Sequence, residues 1–274
     1  MSSNDETAVR RHFPRRHREQ GSLHTIRDVA CFTLGNRRDL YVYLPPHYDE
    51  ADARYPVVYL QDGQNLFEPE RSFAGAWGAD DAADRASRLG YQAILVGVPN
   101  AGGQRLDEYS PFHDGRIGGG GRADEYLQFL VDVVKPLVDG QFRTKADRRH
   151  TIIGGSSMGG LLALYGYFRH GDTFGRASVQ SPALWFGEGA IFEYVAEAPK
   201  PAGRIYLDVG AREGETTLAN ARRMHEMLQQ KGYVTNRTLR WVEDRNGQHH
   251  EFAWGRRLRK ALPFLLDDDW EPTS

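Results

Sequence analysis

The sequence predicts an α/β fold: a mostly parallel sheet of eight strands, helices on both of its faces, and an antiparallel hairpin at the N-terminal end. Three observations predict it. From residue 56 onward, short and continuously apolar runs alternate with segments of helical periodicity, as parallel strands buried on both faces alternate with their crossover helices. Two longer strand-like runs, 24–34 and 38–45, come before them, with Gly35-Asn36 as the turn between. The chain carries no internal repeat and no interdomain linker, and its 274 residues with 40% hydrophobic content can fill one large core.

Taken in order, residues 1–20 are polar and charged and are expected to form a flexible basic arm ahead of a single domain over 21–270. In the second hairpin strand, Leu40-Tyr41-Val42-Tyr43-Leu44 is β-branched, aromatic or leucine throughout, and Pro45-Pro46 ends it. Pro56-Val57-Val58-Tyr59-Leu60 reads as a buried strand, followed at its C-terminal end by the polar loop Gln61-Asp62-Gly63-Gln64-Asn65. Residues 78–89 suit a helix ending near Gly90, and 93–98 a further strand stopped by Pro99-Asn100. Residues 101–122, with glycines at 118 to 121, read as a long irregular segment, a flexible lid or a plain linker. No G-K-[ST] follows the glycines, so a phosphate-binding loop is not expected. From Ala123, the apolar positions Leu127, Leu130, Val131, Val134, Leu137 and Val138 recur at helical spacing, and Pro136 is expected to bend that helix late.

Further strands are expected at 177–180, 205–209 and 238–242. Leu218, Ala221, His225 and Leu228 share one face of a helix that Gly232 caps, which makes His225 a packed or half-exposed helix residue rather than a ligand. Residues 254–266 form a closing helix, and Asp267-Asp268-Asp269 reads as a solvated charge run.

A net charge of −2 supplies no global field toward nucleic acid or membrane, so neither is expected as a partner. The single cysteine, Cys31, excludes an internal disulfide and a thiolate metal cage, and its apolar surroundings suit a buried structural thiol. No apolar segment follows the N-terminal arginines, so no secretory signal is expected and a reducing, cytoplasmic setting fits best. Whether the chain self-associates is left open.

The chemistry centres on Thr151 to Leu164. A β-branched run leads into Gly155-Ser156-Ser157-Met158-Gly159, and a leucine-rich helix follows. This is the G-x-S-x-G nucleophile elbow, with Ser157 in the only register that works. A serine hydroxyl needs a base, and the base needs an orienting acid. In α/β-hydrolases the acid and then the histidine follow the serine along the chain. Gly210-Ala211-Arg212-Glu213 follows the 205–209 strand, and Gly247-Gln248-His249-His250-Glu251 follows the 238–242 strand. Glu213, beyond its strand, is favoured as the acid over Asp208 within it; spacing does not choose between His249 and His250. Oxyanion donors are expected at the backbone amides of Met158 and, from loop position, Gln64. Asn65 and Trp185 are candidate pocket walls, Trp185 equally a core aromatic.

Several separated stretches together resemble the esterase D/enterochelin-esterase-like family of α/β-hydrolases. They are Pro56 through Phe67, Ile153 through Leu161, Ser181-Pro182-Ala183-Leu184-Trp185 and His249 through Trp254, and the resemblance covers roughly residues 24–266. It implies an α/β-hydrolase fold and a serine esterase that needs no cofactor or metal. It also implies His249, five residues before Trp254, as the base, Glu213, three after Gly210, as the acid, and Gln64 as oxyanion donor. The segment Asn100 to Pro111, including Arg105, would border the pocket. The expected function is hydrolysis of a small-molecule ester, a small or sugar/phenolic one, through a Ser-His-Glu triad and an acyl-enzyme. The rival readings are an acyltransferase with the same triad and a catalytically idle ligand-binding homologue.

Overall fold

A computed structural model describes residues 20–68 and 75–269. The expected basic arm lies outside the described residues. Eight strands form one sheet: β1 (Ser22–Cys31), β2 (Asn36–Leu44), β3 (Val57–Gln61), β4 (Ile94–Val98), β5 (Thr151–Ser156), β6 (Arg176–Gln180), β7 (Arg204–Gly210) and β8 (Leu239–Asp244). Their order across the sheet is β1-β2-β4-β3-β5-β6-β7-β8. The β1–β2 and β2–β4 pairs are antiparallel, and every pair from β4 to β8 is parallel. The fold is that of an α/β-hydrolase.

The period-two alternation of each strand supplies two cores. On one face lie Val57 and Tyr59, Ile94 and Val96, Ile153, and Ile205 and Leu207. Their chain neighbours Val58 and Leu60, Leu95, Ile152 and Tyr206 point to the other. The first face is covered by α3 (Ala123–Phe129), α4 (Lys135–Gln141), α5 (Met158–Arg169), α6 (Ala190–Glu197) and α7 (Glu215–Gln230). The second is covered by α1 (Ala79–Ser87) and α8 (Glu251–Leu266). Central strands must therefore be apolar on both sides, which is why they read as unbroken hydrophobic runs. Cys31 is buried among these apolar side chains, and His225 stacks on Trp241 with ring centroids 5.0 Å apart.

Three local expectations change in the folded chain. The 101–122 segment is not simply irregular: it contains α2 (Arg105–Tyr109) and is tied down along its length. Asp107 Oδ1 accepts from the Gly120 amide at 2.7 Å, and Ser110 O accepts from the Gly121 amide at 2.8 Å. The helix beginning at Ala123 departs from regularity before Pro136, in a π turn over Leu130–Val134. Proline has no N–H for the carbonyl four residues back, and the ladder already steps to Lys135 N–H donating to Leu130 O.

Nor is the acidic run merely solvated. The fully buried Arg176 guanidinium donates to the Leu265 carbonyl and, at 2.9 Å, to Asp268 Oδ1. Arg204 lies 3.5 Å from Asp267. The two arginines stand at the starts of β6 and β7 and cap the C-terminal end of α8, where unpaired carbonyls need donors. Arg176→Met leaves the Leu265 carbonyl without this donor and is expected to lower unfolding stability by about 1–3 kcal/mol, read by urea denaturation. Burial pushes the Asp268 carboxyl up, but Arg176 and Lys145 outweigh it and hold the group well below its ordinary value. A depressed carboxylate contributes stability above its unfolded pKa and loses it as pH falls toward the folded one. Wild type should thus lose stability below about pH 4, and Asp268→Asn should flatten that loss. Equal acid slopes would show that the pair contributes nothing.

Candidate active site

The site assembles at the carboxyl ends of β3, β5, β6, β7 and β8, the edge where loops of a parallel sheet converge. Ser157 stands between β5 and α5 with φ 55° and ψ −120°, a strained conformation for a side-chain-bearing residue. Its amide donates to Gln180 O at 3.1 Å, and its carbonyl accepts from Leu161 and Ala183, both at 3.0 Å. These bonds hold the bend. Glycine at 155 is required sterically, because a Cβ there would stand 2.7 Å from the Gly159 carbonyl.

One hydrogen-bonded chain runs from this hydroxyl. His249 Nε2 lies 3.0 Å from Ser157 Oγ, and His249 Nδ1 lies 2.9 Å from Glu213 Oε2. The imidazole packs edge-on against Trp254, centroids 4.9 Å apart, and its side chain is 41% exposed. Residues 157, 213 and 249 thus meet although 92 positions separate the first from the last. His250 faces elsewhere: it is the N-cap of α8, and its Nδ1 accepts from the Ala253 amide at 3.3 Å.

The two carboxylates near the base have different surroundings. Glu213 Oε1 accepts from the Gly210 amide at 2.9 Å, the Ser181 hydroxyl at 2.7 Å and Arg257 Nη2 at 3.1 Å. Burial raises the Glu213 carboxyl, but His249, Ser181 and the Arg257 charge together hold it below its ordinary value, so it is ionised at neutral pH. Asp208 sits inside β7, fully buried, with Gln180 Nε2 and the Ser181 amide each at 3.2 Å and Arg257 Nε at 3.1 Å. Burial is the main cause that pushes its carboxyl up to about 6, and Arg257 opposes it.

The loop after β3 faces the first turn of α5: a Cβ added at Gly159 would lie 3.0 Å from Gln61 Cβ and 3.6 Å from Asp62 Oδ2. Met158 begins α5 and Gln64 lies in the 3₁₀ turn Gly63–Asn65, positions whose amides have no acceptor inside their own helix. Asp62 enters that turn at φ 55°. Its carboxylate is gripped by Arg105 through Nε and Nη2, both at 2.7 Å, and by Asn100 Nδ2 at 2.6 Å. Its amide donates to Tyr109 Oη at 3.1 Å. Arg105 and Asn100 therefore border the site while engaged with Asp62, and Gln64 Oε1 accepts from the Asn100 amide at 3.3 Å. Asn65 reaches across to Glu251 Oε1 at 3.4 Å, and burial chiefly raises that carboxyl. Trp185 is not a core residue: it is 43% exposed, beside Phe186.

Ser181 and Arg257 are the side chains that sequence reasoning missed. Ser181 stood in a recognised stretch, but a serine after a strand looks like any turn residue. Arg257 lies on α8, where nothing in the periodicity separates a buried arginine from a solvated one. Among the described residues, no group of histidine, cysteine or carboxylate side chains is arranged to hold a metal ion, and no helix is long and apolar enough to cross a membrane.

Known proteins resemble this chain in sequence and in fold. The family model Esterase, described as “Putative esterase”, matches residues 32–265. The uncharacterized protein YbbA of Bacillus subtilis is 24% identical over 230 residues, 80% of this chain and 88% of its own. The iron(III) salmochelin esterase of Escherichia coli O6:H1 is 27% identical over 256 residues, 86% of this chain, which spans only 56% of that longer protein. Among solved structures, a ferulic acid esterase superposes with a TM-score of 0.70 at 23% identity, covering 90% of this chain and 98% of its own. An IroE-like serine hydrolase from Shewanella oneidensis does so with 0.72 at 18% identity, covering 88% and 80%. Since the family match extends over most of the chain, the chain belongs to this family of putative esterases, and its fold is that of an α/β-hydrolase.

Proposed function

We propose that the protein is a serine carboxylic-ester hydrolase that works through an acyl-enzyme on Ser157. The observation that carries this is the unbroken chain Ser157 Oγ–His249–Glu213, with links of 3.0 and 2.9 Å. His249 Nε2 takes the hydroxyl proton as Ser157 attacks the ester carbonyl. The imidazolium is stabilised by Glu213, and His249 returns the proton to the departing alcohol. The Met158 and Gln64 amides receive the oxyanion, each worth on the order of 10²–10³ in rate. Water, activated by the same histidine, then releases the acid. No step calls on a cofactor.

Two features support a small or aromatic ester as the substrate. Salmochelin and ferulic acid esterases are among the similar proteins, and Trp185 offers an exposed aromatic face a few residues beyond the Ser157 contact at Ala183. The test is initial-rate hydrolysis across p-nitrophenyl esters of increasing chain length, feruloyl and acetylated sugars, and a catecholate trilactone. Turnover of at least one class is expected, with preference for phenolic acyl groups. Acyl transfer to an added alcohol that outruns hydrolysis would replace this reading with an acyltransferase. Binding without turnover across the panel would leave an idle homologue.

A further inference from the structure

The hydroxyl of Ser181 has only one direction in which to give its proton. Trp254 Nε1 donates to Ser181 Oγ at 3.1 Å, and Arg257 Nη2 donates to it at 2.6 Å. A hydroxyl has two acceptor sites and one proton, so with both acceptor sites filled by obligate donors the O–H must point at its third neighbour. That neighbour is Glu213 Oε1, at 2.7 Å. Oε1 also receives the Gly210 amide and Arg257 Nη2, so three donors hold one carboxylate oxygen and leave the other to His249.

The rest of the cluster is built to keep Ser181 there. Its amide donates to Asp208, through the carbonyl at 2.9 Å and Oδ1 at 3.2 Å. Its φ of 41° lies in the left-handed region, which a serine occupies only when its surroundings compel it. Arg257 is fully buried, with Asp208 balancing its charge from the far side. Ser181, Asp208 and Arg257 are wholly enclosed, so water does not substitute for these bonds.

We propose that Ser181, backed by Arg257, is a positioning residue: it clamps Oε1 of Glu213 so that only Oε2 is presented to His249 Nδ1. The proposal rests on the triad reading above. Ser181 touches no reacting atom and acts through the acid. Around the Glu213–His249 pair the charged and titratable groups are Arg257 and Glu251 on α8, Asp208 on β7 and His250 beside the base.

Ser181→Ala and Ser181→Gly make the test, with kcat, KM, the pH profile of kcat/KM and the rate of fluorophosphonate labelling measured beside wild type. Both variants remove the hydroxyl, but glycine also suits the positive φ, so it stays folded if alanine does not. Loss of one hydrogen bond to a charged group should lower kcat about tenfold in both, with KM within about twofold. A carboxylate stripped of a donor is more basic and holds the imidazole proton more firmly, so the acidic limb of kcat/KM should move to higher pH by about half a unit. Backbone strain alone would instead make glycine and alanine diverge while leaving the limb in place, and that result overturns the proposal. So does a labelled wild type whose variants react as fast with the same profile. A wild type that takes no label overturns the triad reading, and the proposal with it.

Discussion

Ser157→Ala is expected to abolish fluorophosphonate labelling and to cut ester turnover by a factor on the order of 10⁴–10⁶. Removing the nucleophile of a serine hydrolase removes the covalent route altogether, and what remains is catalysis by the oxyanion donors and binding alone. Ser156 is the last residue of β5 and is buried, whereas the backbone of Ser157 is bent to present its hydroxyl within 3.0 Å of His249 Nε2. Alanine at 157 keeps the Cβ and the amides of the elbow, so the variant should fold and bind ester with KM little altered. Labelling that persisted at another residue, or turnover within tenfold of wild type, would remove Ser157 from the mechanism.

Glu213→Gln should produce the second largest loss, about 10⁴-fold in kcat, with Asp208→Asn losing about tenfold or less. The contrast follows from contacts. Glu213 Oε2 accepts from His249 Nδ1 at 2.9 Å, whereas the partners of Asp208 are Gln180, Ser181 and Arg257. A glutamine at 213 can turn its amide N–H₂ toward the histidine, which favours the wrong tautomer and withdraws the negative charge that stabilises the imidazolium. The sign in pH is definite. Without that charge the protonated base is less favoured, so the acidic limb of kcat/KM should move to lower pH, opposite to the shift expected when the Ser181 hydroxyl is lost. An Asp208→Asn variant as damaged as Glu213→Gln would transfer the acid role to the strand.

How far the site could be read in advance depended on the kind of residue. Ser157 is announced by its neighbours, since the elbow needs small residues at fixed offsets along the chain. Glu213 and the adjacent pair His249 and His250 are announced by their place after particular strands of a parallel sheet, and the family resemblance favours His249. Arg105 and Asn100 were expected at the pocket border, but their pairing with Asp62 joins residues about forty positions apart and leaves no local trace. The helical order inside 101–122 was missed because α2 is only five residues long and its contacts, not its periodicity, define it. Asp268 looked solvated because the sequence does not say that Arg176 is fully buried beneath it.

By itself the sequence determined the strand order along the chain, the two-sided burial of the central strands and the candidate nucleophile. These follow from periodicity and from a tight bend that needs small residues at fixed offsets around its serine. The folded chain alone decided that Asn100 and Arg105 close on Asp62, that Glu213, His249 and Ser157 come within hydrogen-bonding distance, and that a serine and an arginine stand behind Glu213. Hydrogen-bond partnership depends on distances of about 3 Å between residues far apart in the chain, and no spacing along the polypeptide encodes such a distance until the sheet brings its strand ends together.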